Sequence, residues 1–189
     1  MKKIIKHKCL IMLSMIAFMV FCGTGGNCLE GTEYQIKGAM ILNFIKFVQW
    51  PEQSQGQLPD QLNDKTDTTV TIGIIGKDNF GNTLNQIEGR KIGNKQLSIR
   101  HIKSVSQLSD CQILFISESE SHRTYQILRE ISGMPILTIG EDEDFIQLGG
   151  IIRFYDEKNH IRFEVNQTAA LKSDLKLSVK LLEVAAAIQ

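Results

Sequence analysis

From Val70 onward, short apolar runs alternate with amphipathic ones, and this alternation limits the possible fold more than any other feature. Val70–Ile75 is apolar and rich in β-branched residues, and Cys111–Ile116 (CQILFI) and Pro135–Ile139 are almost wholly apolar. Runs this short with few polar alternates read as strands buried on both faces. Leu97–Ile102 sets Leu97, Ile99 and His101 against Ser98, Arg100 and Ile102, the pattern of a half-buried strand. Helical patterns fall between the strands: Phe80–Ile87, Ser121–Ile131 with Tyr125, Leu128 and Ile131 on one face, and Asp142–Leu148. Strands separated by helices predict an α/β domain with a largely parallel sheet flanked by helices.

Either side of this block the style changes. Glu33–Trp50 (EYQIKGAMILNFIKFVQW) predicts a largely buried helix, capped by Thr32 and stopped by Pro51. Its buried stripe is Ile36, Met40, Phe44 and Phe47, and Lys37, Lys46 and Gln49 mark its wet side. Gln53–Asp67 is polar and rich in breakers, a surface loop. Near the C-terminus, Ile151–Tyr155 and Ile161–Val165 predict a β-hairpin joined by DEKNH. Arg153, Arg162 and Glu164 then share one face of it. Asn166 caps a final helix expected to run to the chain end on a stripe of Leu171, Leu175, Val179 and Leu182.

The N-terminus bears on compartment. Lys2, Lys3, Lys6 and Lys8 precede the apolar run Cys9–Phe21, and small and polar residues follow it. That is the three-part design of a secretory signal, expected to be cleaved from residues 1–28 and to leave a single domain at 29–189. The apolar run is about thirteen residues, short of the roughly twenty that span a bilayer. An uncleaved anchor is one rival reading. A lipoprotein is another, but Phe21 before Cys22 and Asn27 before Cys28 are poor contexts for lipid attachment. Four lysines and no acid leave with the signal, so 21 basic against 21 acidic residues becomes 17 against 21. A mildly acidic exported domain does not suggest nucleic acid, which favours a basic face. No other segment is long and apolar enough to enter a membrane. Only Cys111 is clearly internal, so no disulfide framework is expected.

The motifs that could carry chemistry are weak. Gly76–Thr83 (GKDNFGNT) is spaced like a phosphate-binding loop but has Asn82 where such loops have lysine. It reads as a structural turn: Gly76 ends a strand, Asp78 or Asn79 starts a helix, and Gly81 allows close packing. Ser117–His122 holds hydroxyls, acids and an imidazole in one local cluster, whereas a triad draws on separate segments. It reads as a solvated loop. His101, His122 and His160 have no metal-ligand spacing. The acidic run Glu141–Asp144 lacks a calcium-loop pattern and reads as a solvated helix start. No catalytic residue, cofactor or metal is assigned. Trp50, the single tryptophan, and the Arg153, Arg162 and Glu164 face remain as a candidate partner surface, since Trp and Arg often anchor interfaces.

Several blocks resemble one family across nearly all of the expected mature chain. EYQIKGAMILNFIKFVQWPE, IGIIGKDNFG, CQILFIS, LTIGEDEDFIQLGGIIRF and IRFEVNQTAALKSDLKLSVKLLEVA are similar to the YfiR-like family of small exported proteins of Gram-negative bacteria. The resemblance implies a periplasmic, typically dimeric α/β domain without catalysis. It implies repression of an inner-membrane diguanylate cyclase through that enzyme's periplasmic part, lowering cyclic-di-GMP and biofilm formation. The motif positions carried over are Asn43, Phe44, Lys46, Phe47, Trp50 and Pro51; Phe145, Gly149 and Gly150; and Arg162, Phe163, Glu164 and Asn166. Some members have a first-strand cysteine facing the one in CQILFIS; this chain has Gly73 there, so that disulfide cannot form. The rival functional readings are an exported small-ligand sensor with a different partner and an exported nucleotide-using enzyme built on the glycine turn.

Overall fold

The structure is a computed structural model that describes residues 27–51 and 68–189. The expected signal, apart from its last two residues, and the Gln53–Asp67 loop lie outside the described residues. Contacts divide the chain after residue 33. Before that point the described residues are helical; residues 34–189 form one compact unit.

The elements in chain order are α1 (Asn27–Phe47), β1 (Val48–Gln49), β2 (Thr68–Ile75), α2 (Asn82–Asn85), β3 (Lys91–Ile92), β4 (Lys95–Ile102) and β5 (Ile113–Ile116). They continue with α3 (Thr124–Glu130), β6 (Leu137–Gly140), β7 (Ile152–Glu157), β8 (His160–Val165), α4 (Gln167–Lys172), β9 (Lys176–Leu177), α5 (Val179–Val184) and β10 (Ala187–Ile188). Among the described residues the main sheet has eight strands in the order β10-β8-β7-β6-β5-β2-β4-β3. The β4-β2-β5-β6-β7 run is parallel throughout. The β7–β8 hairpin is antiparallel.

Both faces of the central strands are buried, as their composition requires. Ile113 and Phe115 of β5 join Ile72, Ile74, Leu137 and Ile139 in the cluster with α1 residues Ile41, Phe44 and Ile45. Leu114 and Ile116 face the other way, toward Ile127, Leu128 and Ile131 around α3. A period of two thus splits one apolar run between two cores.

Several expected elements differ. Helix α1 begins at Asn27 rather than after Thr32, and it ends at Phe47. Val48–Gln49 leaves the helix because it pairs with Leu177 and Lys176, with Ser178 N–H on Phe47 C=O at 2.9 Å. Ile36, expected inside, is 43% exposed, while Lys37, expected outside, is 4% exposed. A carboxylate partner explains that reversal, as described below. His101 points outward, 3.7 Å from Asp78. Phe80 is buried ahead of α2 rather than within it. Ser117–His122 forms the start of a 3-10 turn, Glu118–Arg123. Tyr125 is exposed, and Ile127 joins Leu128 and Ile131 in the core instead. Asp142–Leu148 is a series of turns rather than a helix, bent so that Phe145 reaches the interior. The hairpin connection is shorter than DEKNH. Lys158 and Asn159 both have positive φ (54° and 63°), the two-residue turn whose twist matches the flanking strands.

The C-terminal helix is divided. After the Asn166 cap, α4 stops at Lys172, with Asp174 at φ 54°. Leu175 N–H returns to Ala170 C=O at 2.9 Å and Asp174 N–H to Leu171 C=O at 3.0 Å. This is a left-handed helix stop that satisfies orphan carbonyls. Leu175 turns fully inward, whereas Leu171 and Val179 are 63% and 69% exposed. The final helix is therefore the short α5, opened by Ser178, whose Oγ accepts Leu181 N–H.

Candidate functional site

The chain runs from β2 to β4 on one side, then crosses back to β5, β6 and β7 on the other. The order therefore reverses between β2 and β5. In open parallel sheets the carboxyl ends of strands at such a reversal are where ligands usually bind. The glycine turn Gly76–Thr83 leaves β2 at this point, and Ser117–Glu120 leaves β5 beside it.

The two loops close on each other. Gly76 has φ 92°, and a Cβ there would lie 2.6 Å from Ser119 Oγ and 2.7 Å from Glu120 Cγ. Glycine is required by both conformation and space. Lys77 N–H donates to Ser119 Oγ at 2.8 Å, and Asp78 Oδ1 accepts Phe80 N–H at 2.8 Å. Gly81 has no neighbour within 4 Å of a built Cβ, so it serves its φ of 52° rather than close packing. A phosphate cradle needs free backbone donors at a helix start. Here Lys77 N–H is occupied, and the following helix is four residues long.

A polar cluster stands at the same sheet edge. Glu141 directly follows β6, Asn79 follows β2, and Tyr34 and Lys37 descend from α1. Lys37 Nζ meets Glu141 Oε1 at 2.5 Å, with side chains 5% and 8% exposed. Tyr34 O–H donates to Glu141 Oε2 at 3.2 Å and accepts from Asn79 Nδ2 at 2.9 Å. Lys37 Nζ also lies 4.5 Å from the Tyr34 ring centre. Sequence reasoning missed this group. It placed Lys37 on the solvent side and Glu141 in a solvated helix start, and no local spacing links residues 104 positions apart.

On the hairpin, Arg153 pairs in register with Glu164, and Tyr155 with Arg162. All four side chains share one face. Arg153 Nε is hydrogen-bonded to Glu164 Oε1 with both side chains mostly buried, and the guanidinium lies 5.1 Å from the Tyr155 ring centre. Arg162 is half exposed and reaches Glu157 at 3.5 Å.

Trp50 is elsewhere. Its Nε1–H donates to Gln112 C=O at 3.1 Å, just before β5, and Lys95 Nζ lies 5.0 Å from its ring. Burial lowers the Lys95 pKa. Arg153 instead pairs beside Gly140, level with Ile116 at the far end of β5. Four residues of strand, about 13 Å, separate the two levels. Trp50 and the Arg153, Arg162 and Glu164 face therefore lie toward opposite ends of the strands.

The motif residues divide by role. Phe44 is buried, stacking on Phe154 at 5.9 Å and edge-on to Phe163 at 5.1 Å. Phe145 is fully buried between Gly140 and Gly150, and Gly149 supplies φ 99°. Asn166 Oδ1 accepts Ala169 N–H at 2.8 Å while Nδ2 donates to Ile146 C=O at 3.1 Å, tying α4 to the Phe145 turn. Asn43 and Lys46 are exposed and touch each other at 3.4 Å. Phe47 and Pro51 are half-buried. Asn166→Ala removes both bonds and should cost about 1–2 kcal/mol, the usual range for a lost N-cap. A urea midpoint unchanged from the parent protein would contradict that role.

Cys111 is a buried free thiol whose pKa is raised, chiefly by burial. A Cβ built on Gly73 lies 3.2 Å from its Sγ, so Gly73 is the position facing this thiol. Among the described residues no group of three or more His, Cys, Asp and Glu is arranged to hold a metal ion. Nor, among the described residues, is any helix long and apolar enough to cross a membrane.

Fold and site together define a small α/β domain whose parallel sheet is buried on both faces and whose switch-point loops are tied to each other. Residues 34–186 match the sequence profile of the YfiR/HmsC-like family, and the chain belongs to that family. No curated protein matches it. Among solved structures, it is similar to the ABC domain in complex with L-Trp from Streptococcus pneumonia, at 9% identity and a TM-score of 0.46. That likeness covers 64% of this chain and 56% of the other.

Proposed function

We propose that this protein is a periplasmic regulator, without catalysis of its own, that represses an inner-membrane diguanylate cyclase by binding its periplasmic part. The observation that carries the reading is family membership over residues 34–186, nearly the whole compact unit. The three-part N-terminus supports export. An exported domain reaches a cytoplasmic second messenger only through a membrane-spanning partner. Binding rather than chemistry fits a switch-point loop whose Lys77 N–H is occupied by Ser119. The protein acts as a homodimer, as the family resemblance implies.

Of the proposed contact residues, Arg162 is the most available, half exposed on the hairpin beside Tyr155. Arg153 and Glu164 hold each other and present a preorganised pair to a partner. Trp50, toward the opposite end of the strands, serves a second contact.

Deleting the gene should raise cyclic-di-GMP and surface attachment. Arg162→Ala should keep its melting temperature and reproduce part of that rise, because an anchoring arginine is worth about 2 kcal/mol, roughly thirtyfold in affinity. Unchanged cyclic-di-GMP in a deletion strain whose cyclases are expressed would sink the reading.

A further inference from the structure

A groove of about 540 Å³ opens between the end of α3, the turn around Ile146–Gly149, and α4. Nothing in the proposed function uses it. Its volume lies within the roughly 300–1,000 Å³ range of small-molecule sites. Leu128, Ile131, Ile136 and Ile146, all buried, give it aliphatic walls. The lining includes one aromatic ring, Tyr125, which is 58% exposed.

The two charged side chains in the lining are both cationic. Arg129, near the end of α3, and Lys172, the last residue of α4, come from separate elements. Arg100, Arg123 and Arg162 each have a carboxylate within ion-pair distance. Neither Arg129 nor Lys172 has one among the described residues. Two positive side chains with no carboxylate side-chain partner among the described residues raise the local concentration of anionic ligands at this concavity. The guanidinium fork matches a carboxylate in particular. Ser132 and Ser173 line the same groove, and their hydroxyls form no side-chain hydrogen bond among the described residues.

We infer that this groove binds a free medium-chain alkyl carboxylate, with the chain along the branched aliphatic walls and the headgroup between Arg129 and Lys172. The inference is independent of the cyclase reading. Cyclic-di-GMP in the deletion strain tests that reading, and ligand binding by the purified protein tests this one.

The probe is decanoate, titrated calorimetrically below its aggregation concentration. One saturable site is expected. Butyrate should bind at least tenfold more weakly, and so should decyltrimethylammonium, which keeps the chain and reverses the charge. Arg129→Gln/Lys172→Gln should weaken decanoate at least tenfold at unchanged melting temperature, since both residues are exposed. Ser132→Trp, which fills the groove from an exposed position, should do the same. Absence of saturation, equal binding of the cationic analogue, or full affinity in the double variant would each overturn the assignment. So would co-sedimentation with phosphatidylglycerol vesicles by a protein that ignores free decanoate, which would make the anion a lipid headgroup.

Discussion

Replacing Phe145 with alanine should destabilise this domain by about 3–5 kcal/mol, the range for emptying a fully buried aromatic site. Phe145 has no exposed surface. Its ring is held edge to edge between two glycines: a Cβ on Gly140 would lie 2.2 Å from Cε2, and one on Gly150 would lie 2.1 Å from Cε1. Backbone on both sides is close enough that nothing can collapse into the space without moving β6 or the start of β7. In a domain of this size the loss corresponds to a fall in melting temperature of about 6–20 °C. Gly150→Ala should be comparably damaging, because the added methyl would overlap the ring. An alanine variant melting within about 3 °C of the parent would show that the turn relaxes freely, contrary to the cavity argument.

The second large effect is expected at Lys37. Lys37→Met should cost about 3–5 kcal/mol, because removing one partner of a buried ion pair leaves the other charge uncompensated. Glu141 would keep the Tyr34 hydroxyl but lose the one cation paired with it among the described residues. The variant Lys37→Met/Glu141→Leu should recover most of the loss, since a well-packed apolar pair is often as stable as a buried ionic one. Urea unfolding of the two single variants and the double variant closes a double-mutant cycle. A double variant no more stable than Lys37→Met would remove the ion pair as the explanation.

These two sites mark where sequence reasoning succeeded and where it stopped. Phe145, Gly149 and Gly150 stand out as a motif in the chain, but their shared task is invisible there. Only the folded backbone brings Gly140 and Gly150 to opposite edges of one ring. Lys37 is harder still. Helical periodicity tracks hydrophobicity, so a lysine on α1 reads as solvent-facing unless a distant carboxylate is known to meet it.

The strand runs Val70–Ile75, CQILFI and Pro135–Ile139, with helical stretches between them, were enough to determine a parallel α/β sheet. Buried strands must be apolar on both faces, and parallel strands must be joined by crossovers. The hairpin face of Arg153, Arg162 and Glu164 was also legible, because side-chain direction in a strand has a period of two. Tertiary structure alone decided the rest. Pairing of β1 with β9 ended α1 before Trp50, and the left-handed stop at Asp174 divided the C-terminal helix. The strand register then set Trp50 and Arg153 toward opposite ends of the strands. Each outcome depends on partners far apart along the chain, and local propensity carries no information about which distant segment will supply them.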